Sequence, residues 1–288
     1  MLAIYKKEMQ GYFSSMIAYL FMASFIAIIG IYFTAYCVSG GYTDFAGVVL
    51  PSTSIWFAVL IPILTMRLWA EEKKSKTDQL LLTSPISITK IVVGKYLAVL
   101  TLFFITLCMV MIFPFILHFY GDVTWMTVFT GMLGYFLMGA ALIAIGFFIS
   151  SITENQIVAA VISVVTIVLL YLLGNLSSSL PGRARYSIIL AAIAVVAVMI
   201  IFYCTTKTIV PSIISGLIGA GAIALTYYLK PTVFDNGLSK VLDWFSVIDR
   251  FYDFVQGILN VSAIVYFISF IGVFLLLTIH SIEKTRWN

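Results

Sequence analysis

Long apolar segments separated by short polar breaks run along the whole chain. A helix needs about 20 apolar residues to cross the hydrocarbon core of a membrane, and eight segments reach or approach that length. Backbone hydrogen bonds must be satisfied inside lipid, so we expect all eight to be helices. The pattern predicts an all-α polytopic membrane protein, with residues 1–288 forming a single transmembrane domain. The predicted spans are 16–38, 45–66, 91–119, 125–149, 157–176, 187–204, 209–229 and 261–280.

Residues 1–14 are amphipathic and precede the first span. Lys6, Lys7 and Glu8 lie opposite apolar and aromatic side chains in this short basic segment. Such a pattern is typical of a helix that lies in the membrane interface. The candidate site residues of this interface helix are Tyr5, Lys6, Lys7 and Glu8.

A second amphipathic segment covers residues 236–260. Polar residues recur there at close to the helical period, around a wide apolar arc. We expect a helix in or near the outer leaflet, with aromatic anchors at the interface. It is either a structural lid packed on the bundle or part of a substrate exit path. The candidate exit-side residues are Trp244, Phe245, Phe251 and Tyr252.

The dense charge of the chain is confined to residues 67–86, here called the charged segment. Its composition predicts a helix over 69–82, ended by Thr83, Ser84 and Pro85. A solvated loop would satisfy the charges equally well. It would not need the apolar run 80–82, which favours contact with a partner.

Composition excludes a soluble protein. The chain is 62% hydrophobic and 10% charged, with mean hydropathy +1.12, whereas a soluble domain carries about 25% charge. Lys and Arg concentrate in the segments on one side of the predicted spans, which places both termini and the charged segment in the cytoplasm. The expected location is the inner (cytoplasmic) membrane. The net charge of +4 fits contact with anionic membrane lipid and gives no indication of nucleic-acid binding.

Sequence motifs for catalysis are missing. There is no GxxxxGK[ST] phosphate-binding loop and no HExxH motif, and the three cysteines lie far apart. Ionisable residues are nearly absent from the middle of the spans, which argues against a transporter coupled to ions. We expect Lys95 to extend from the third span to the interface. Thr153 and Glu154 are expected to cap the fifth span, or to form a second contact with a cytoplasmic partner. We therefore predict no catalytic, metal-binding or cofactor-binding residue, and an energy source outside the chain.

The charged segment carries a family resemblance. Its run from Arg67 through Ala70-Glu71-Glu72 to Leu80-Leu81-Leu82 and Thr83-Ser84-Pro85 resembles the signature of ABC-2-type transporter permeases, especially the gliding-motility-like exporter branch. Glycine is frequent in that signature where this chain has Lys76. The C-terminal stretches 248–259 and 283–287 resemble the same branch.

The resemblance implies a division of labour. A separate ABC ATPase, expected in two copies, would hold ATP and Mg²⁺, and a second permease chain, identical or related, would complete the complex. The charged segment would be the coupling helix, with the interface helix beside it, and ATPase closure would tilt the first, second and fifth spans. The implied ATPase contacts are Arg67, Ala70, Glu71, Glu72, Lys73, Lys74, Thr77, Leu80, Leu81 and Pro85.

These observations predict the membrane-spanning permease subunit of an ATP-driven ABC exporter, which is not itself an enzyme. The alternative is a non-transporting membrane anchor or sensor that docks a cytoplasmic partner. An apolar and aromatic path favours lipid-like, peptide or other hydrophobic cargo.

Overall fold

The computed structural model describes residues 1–83, 86–179 and 246–287. Regular structure in these ranges is helical throughout, with π-helical turns at Thr34–Val38 and Phe45–Val49. The α-helices are α1 (Leu2–Ser14), α2 (Met16–Phe33), α3 (Leu50–Ser54), α4 (Phe57–Thr65), α5 (Ala70–Lys74), α6 (Asp78–Thr83), α7 (Ile88–Val110), α8 (Ile112–His118), α9 (Trp125–Ile152), α10 (Gln156–Ser179), α11 (Val247–Val255) and α12 (Val261–Trp287). The sites discussed below lie in a unit made of Met1–Leu169 and Val247–Asn288.

Within the described residues, four helical stretches are long and apolar enough to cross a membrane. They are Met16–Val38, Ile88–His118, Trp125–Ile152 and Val261–Lys284. They coincide with four of the predicted spans, which confirms a polytopic, all-helical membrane protein. The predicted fifth span lies within α10, whose described apolar part is Gln156–Leu172. The predicted spans 187–204 and 209–229 lie outside the described residues.

The predicted span 45–66 is not a straight helix. Its two halves, Phe45–Ser54 and Phe57–Thr65, meet at an angle of 61°. Ser52, Thr53 and Ser54 each donate a hydroxyl hydrogen bond to a backbone carbonyl in the preceding turn. Hydroxyls in this position compete with the helical ladder and bend helices.

Helix α9 occupies the centre of the bundle. In its most apolar stretch 78% of the residues are buried, more than in any other described span. Glycines on α9 allow its neighbours to approach closely, because a Cβ at Gly134 would collide with Phe254 and one at Gly146 would collide with Thr65. A displacement of α9 would therefore also displace the helices that pack on several of its sides.

An aromatic cluster fills the space between α2, α4, α7 and α9. The ring centroids of Phe57 and Tyr135 are 4.5 Å apart, Phe25 contacts both rings, and Phe103 contacts Phe57. The Tyr135 hydroxyl lies 3.1 Å from Thr53 Oγ1. A buried hydroxyl needs such a partner, so this bond fixes α3 against α9.

The amphipathic helix predicted over 236–260 is shorter at its C-terminal end. Helix α11 ends at Val255, and Gly257 then adopts a φ of +80° that favours glycine. Phe251 is fully buried in the contact with α9, whereas Tyr252 is about half exposed. The described part therefore packs on the bundle. Trp244 and Phe245 lie outside the described residues.

Candidate functional site

The charged segment forms two short helices instead of the single helix predicted over 69–82. Helix α5 ends at Lys74 with Ser75 as its C-cap, and Lys76 adopts a left-handed φ of +56°. The Thr77 amide then bonds Glu72 O, and the Lys76 amide bonds Lys73 O. This is the Schellman pattern, which normally takes glycine at the left-handed position. Glycine adopts this conformation without strain, so Lys76 departs from the residue that the motif favours.

A serine from another span caps the N-terminus of helix α5. The Ser150 hydroxyl, near the C-terminal end of α9, accepts hydrogen bonds from the Trp69 and Ala70 amides at 3.2 Å each. It donates to Met66 O at 3.1 Å and is fully buried. The first amides of a helix have no partner within it, so Ser150 supplies one that α5 itself lacks.

A second contact joins the same two elements, and α5 again supplies the donor. Lys73 Nζ donates to Ser151 O at 2.7 Å. A lysine near the C-terminal end of a helix satisfies a free carbonyl and opposes the negative end of the helix dipole. Together with Ser150, this contact fixes α5 to the end of the central helix α9.

Lys95 lies inside the protein, since only 1% of the residue is exposed. Its partners were not predicted from the sequence. Its ammonium donates to Glu8 Oε1 at 2.8 Å, Glu72 Oε1 at 2.9 Å and Leu68 O at 3.0 Å. These acceptors use all three donors of the ammonium. One buried charge in α7 therefore connects α1, the charged segment and the third predicted span.

Helix α1 packs closely on α7 beside this charge. Ile4 is buried, and a Cβ at Gly94 would approach Ile4 and Met1 O at 3.3–3.4 Å. The Tyr5 hydroxyl donates to Thr101 Oγ1 at 3.1 Å, and the Tyr12 hydroxyl donates to Leu64 O at the same distance. The hydroxyl groups of Tyr5 and Tyr12 thus bond α1 to the bundle.

A cleft of about 320 Å³ lies between α1 and the charged segment. Its charged lining residues are Lys7, Glu8, Arg67, Glu71, Glu72 and Lys95. We call the end of the bundle that contains this cleft the charged end. Most of these charges are compensated locally, since Arg67 Nε also lies 2.7 Å from Glu71 Oε2.

Two groups at the cleft carry shifted proton affinities. Burial raises the pKa of the Glu72 carboxyl above its ordinary value, and the charge and hydrogen bond of Lys95 oppose this only in part. Glu72 Oε2 has no hydrogen-bond partner within the part of the chain that the structure describes. Burial also raises the pKa of the Tyr12 hydroxyl, so this group remains a hydrogen-bond donor.

The surface of the charged segment that faces away from the bundle is its central turn. Lys74, Ser75, Lys76 and Thr77 are exposed, as is Gln79 on α6. We call residues 74–79 the exposed tip, although Asp78 within it is buried.

The remaining predicted contact residues occupy varied positions. Lys6 and Lys7 of α1 are exposed, and Glu71 is about half exposed. Ala70 is fully buried, so it positions the segment without offering a surface of its own. Leu81 is partly buried, whereas the Leu80 side chain and Pro85 lie outside the part of the chain that the structure describes.

The predicted cap of the fifth span was assigned to the wrong residue. Helix α10 begins at Gln156, and Asn155 Oδ1 accepts the Ile157 amide at 2.9 Å. Thr153 instead donates to Ile149 O within the preceding helix. Asparagine is a stronger N-cap than threonine, and its position next to Gln156 was the available signal.

A comparison with known families matches residues 3–283, nearly the whole chain, to the ABC-2 family transporter proteins. The chain belongs to the ABC-2 transporter family. As an ABC-2 protein it is a membrane permease of an ABC transporter, and this family works with an ABC ATPase. The family component is the membrane part of the transport machinery and not itself the ATPase. No curated protein matches this chain.

Proposed function

We propose that this chain is the permease subunit of an ATP-driven exporter and that its charged segment receives the motion of a separate ATPase. The observation that carries the proposal is the way in which α5 is held. It is bonded to α7 through Lys95 and to α9 through Ser150 and Ser151. A rigidly held helix beside an exposed tip transmits a push better than a free loop does.

The bonds of the segment indicate where such a push would go. From the sequence we expected the first, second and fifth spans to tilt. The bonds described above lead from the segment to the third and fourth predicted spans instead. The second span joins the segment directly along the chain. Because α9 is the central helix, its displacement would reach the aromatic cluster between α2, α4 and α7.

The proposal includes the remaining parts of the complex. Two copies of the ATPase would hold ATP and Mg²⁺, and a second permease chain, identical or related, would complete the assembly. The charged end would face the cytoplasm, with both termini on that side of the inner membrane, as the distribution of Lys and Arg favours. Assignment to the gliding-motility-like branch and a hydrophobic cargo leaving near α11 are parts of the same proposal.

The experiment is reconstitution of the full chain with its cognate ATPase in liposomes. Glu72 is bonded to Lys95, so its replacement would disturb the fold of the segment as well as any partner contact. Lys74→Glu with Lys76→Glu changes only the exposed tip and is the sharper test. Lys90→Glu, also exposed but outside the tip at the start of α7, is the matched control.

We expect the tip variant to lower complex formation and stimulated ATP hydrolysis about tenfold, because charge reversal at an interface creates repulsion. The Lys90 variant should behave as the wild type does. Unchanged stimulation in the tip variant would overturn the coupling role. If the complex forms but no hydrophobic cargo stimulates ATP hydrolysis, the result would favour the alternative function, a non-transporting membrane anchor or sensor.

A further inference from the structure

A groove of about 540 Å³ opens between α9 and α12 at the charged end. Its wall is formed by the apolar side chains of Phe148, Ile152 and Leu277. Ile152 and Leu277 are about half exposed. The Phe148 ring also packs against Phe274 of α12 with centroids 5.8 Å apart, so an apolar contact joins the two helices beside the groove. The groove is separate from the cleft beside Lys95.

The rim of the same groove is basic. Lys73, His280 and Lys284 line it, and among the described residues its lining includes no acidic one. His280 and Lys284 are four residues apart on one helix and therefore share a face. Glu283 lies 3.5 Å from His280 Nδ1 beside the groove. Because Glu283 lies beside His280, Lys73 and Lys284 are the positive charges of the rim that are available to a ligand.

Lys73 is held in position at this rim. Its ammonium donates to Ser151 O at 2.7 Å. A lysine has three donors, so the contact with Ser151 leaves others for an anion. Lys284 is exposed, and it ends the stretch of α12 that is apolar enough to cross a membrane. The rim therefore lies at the depth of lipid headgroups, with the apolar wall on the hydrocarbon side.

We propose that this groove binds one anionic phospholipid, with its acyl chain along the apolar wall and its phosphate between Lys73 and Lys284. Basic pockets between membrane helices recognise such headgroups. The charge complementarity favours an anionic lipid over a zwitterionic one, and the apolar wall favours a lipid over a water-soluble phosphate. Because Lys73 belongs to the charged segment, the bound lipid would contact the same element that α9 holds. The proposal does not depend on transport.

The test is lipid binding by the full chain purified in detergent, measured by native mass spectrometry. Phosphatidylglycerol and phosphatidylcholine with identical acyl chains are the probes. We expect phosphatidylglycerol to be retained preferentially and Lys284→Gln to weaken its binding about fivefold, since each basic residue near a headgroup contributes about that factor. Lys90→Gln, an exposed lysine outside the groove, is the matched control and should leave retention unchanged.

A second variant tests the groove itself rather than its charge. Leu277→Trp keeps all three basic residues but fills part of the apolar wall, so it should also reduce phosphatidylglycerol retention. Equal retention of the two lipids, or no loss in either variant, would overturn the proposal. So would equally tight binding of glycerol 3-phosphate, because the site would then recognise a free anion.

Discussion

The Lys95 ammonium lies 2.9 Å from Glu72 Oε1 at a position where the lysine is almost completely buried. Glu8 contributes a second carboxylate at 2.8 Å. The three residues belong to three different elements, so this pairing joins the N-terminal helix, the charged segment and a span. Separating two charges at this site would leave each of them in a poorly solvated environment.

Replacing Lys95 by Met should destabilise the protein strongly. The substitution keeps the volume of the side chain but leaves both carboxylates without their cation and Leu68 O without its donor. We expect a loss of about 3 kcal/mol, the usual scale for breaking a buried ion pair. Thermal unfolding in detergent, followed by circular dichroism, measures it.

Two controls separate the buried charge from general damage. Lys90→Met, an exposed lysine on the same helix, should leave the unfolding temperature unchanged. The triple variant Lys95→Met, Glu8→Gln and Glu72→Gln removes all three charges and should recover most of the loss. Equal unfolding temperatures for Lys95→Met and the wild type would show that the ion pairs contribute nothing to stability.

Stability should also depend on pH through Glu72. The folded state raises the pKa of this carboxyl above its ordinary value of 4.5, so the folded protein binds the proton more tightly than the unfolded chain. The resulting stabilisation is complete below about pH 4.5 and is lost as the pH rises through the raised pKa. Glu72→Gln is neutral throughout and should reduce this fall in stability.

Unfolding temperatures measured at intervals between about pH 4 and pH 7 test this dependence. Glu71→Gln changes a more exposed carboxylate on the same helix. This variant should retain the difference in unfolding temperature between the acidic and neutral ends of the pH range. Identical profiles for the wild type and Glu72→Gln would contradict the assignment to Glu72.

Four of the spans and the position of the charged segment could be predicted from the sequence because both depend on local composition. The length of an apolar run is enough to recognise a span such as Trp125–Ile152. The role of Lys95 could not be predicted in this way. Its partner Glu8 is 87 residues away in the chain, and only the fold brings the two together.

The division of the charged segment into two helices could not be predicted from the local pattern either. Charge and apolar pattern run continuously through residues 69–82 and so predict one helix. The left-handed Lys76 interrupts it. The Ser150 cap was equally hidden, because it satisfies an amide 80 residues earlier in the chain.

Ser150→Ala should loosen the start of α5. The variant removes the acceptor of the Trp69 and Ala70 amides, and loss of such a cap costs about 1 kcal/mol. Hydrogen exchange at these amides should become faster. Ser151→Ala is the matched control, because its hydroxyl bonds only locally, to Phe148 O, and its backbone carbonyl still accepts Lys73. Equal exchange in both variants would contradict the capping role.

Lys76→Gly should stabilise the charged segment slightly. A left-handed backbone costs a residue with a side chain about 1–2 kcal/mol, part of which glycine loses again to its greater freedom when unfolded. We expect a net gain of up to about 1 kcal/mol, visible as a higher unfolding temperature. Ser75→Gly is the control, since Ser75 has a φ of −86° and glycine there should destabilise. A lower unfolding temperature for Lys76→Gly would contradict the prediction.

The contact between α9 and the second predicted span can be tested at Gly146. A Cβ at this position would collide with the Thr65 side chain, so Gly146→Ala must separate α4 from α9 and should cost about 1–3 kcal/mol. Gly272→Ala in α12 is the matched control, because no atom of the described residues lies within 4 Å of its added Cβ and alanine favours the helix. Adding Thr65→Ala to Gly146→Ala removes the hydroxyl and methyl groups that collide, and should recover part of the loss.

If α9 transmits motion from the charged segment to α4, the Gly146 variant should also lower stimulated ATP hydrolysis more than its loss of stability alone would. Equal stability of the Gly146 and Gly272 variants would show that α4 and α9 do not approach this closely.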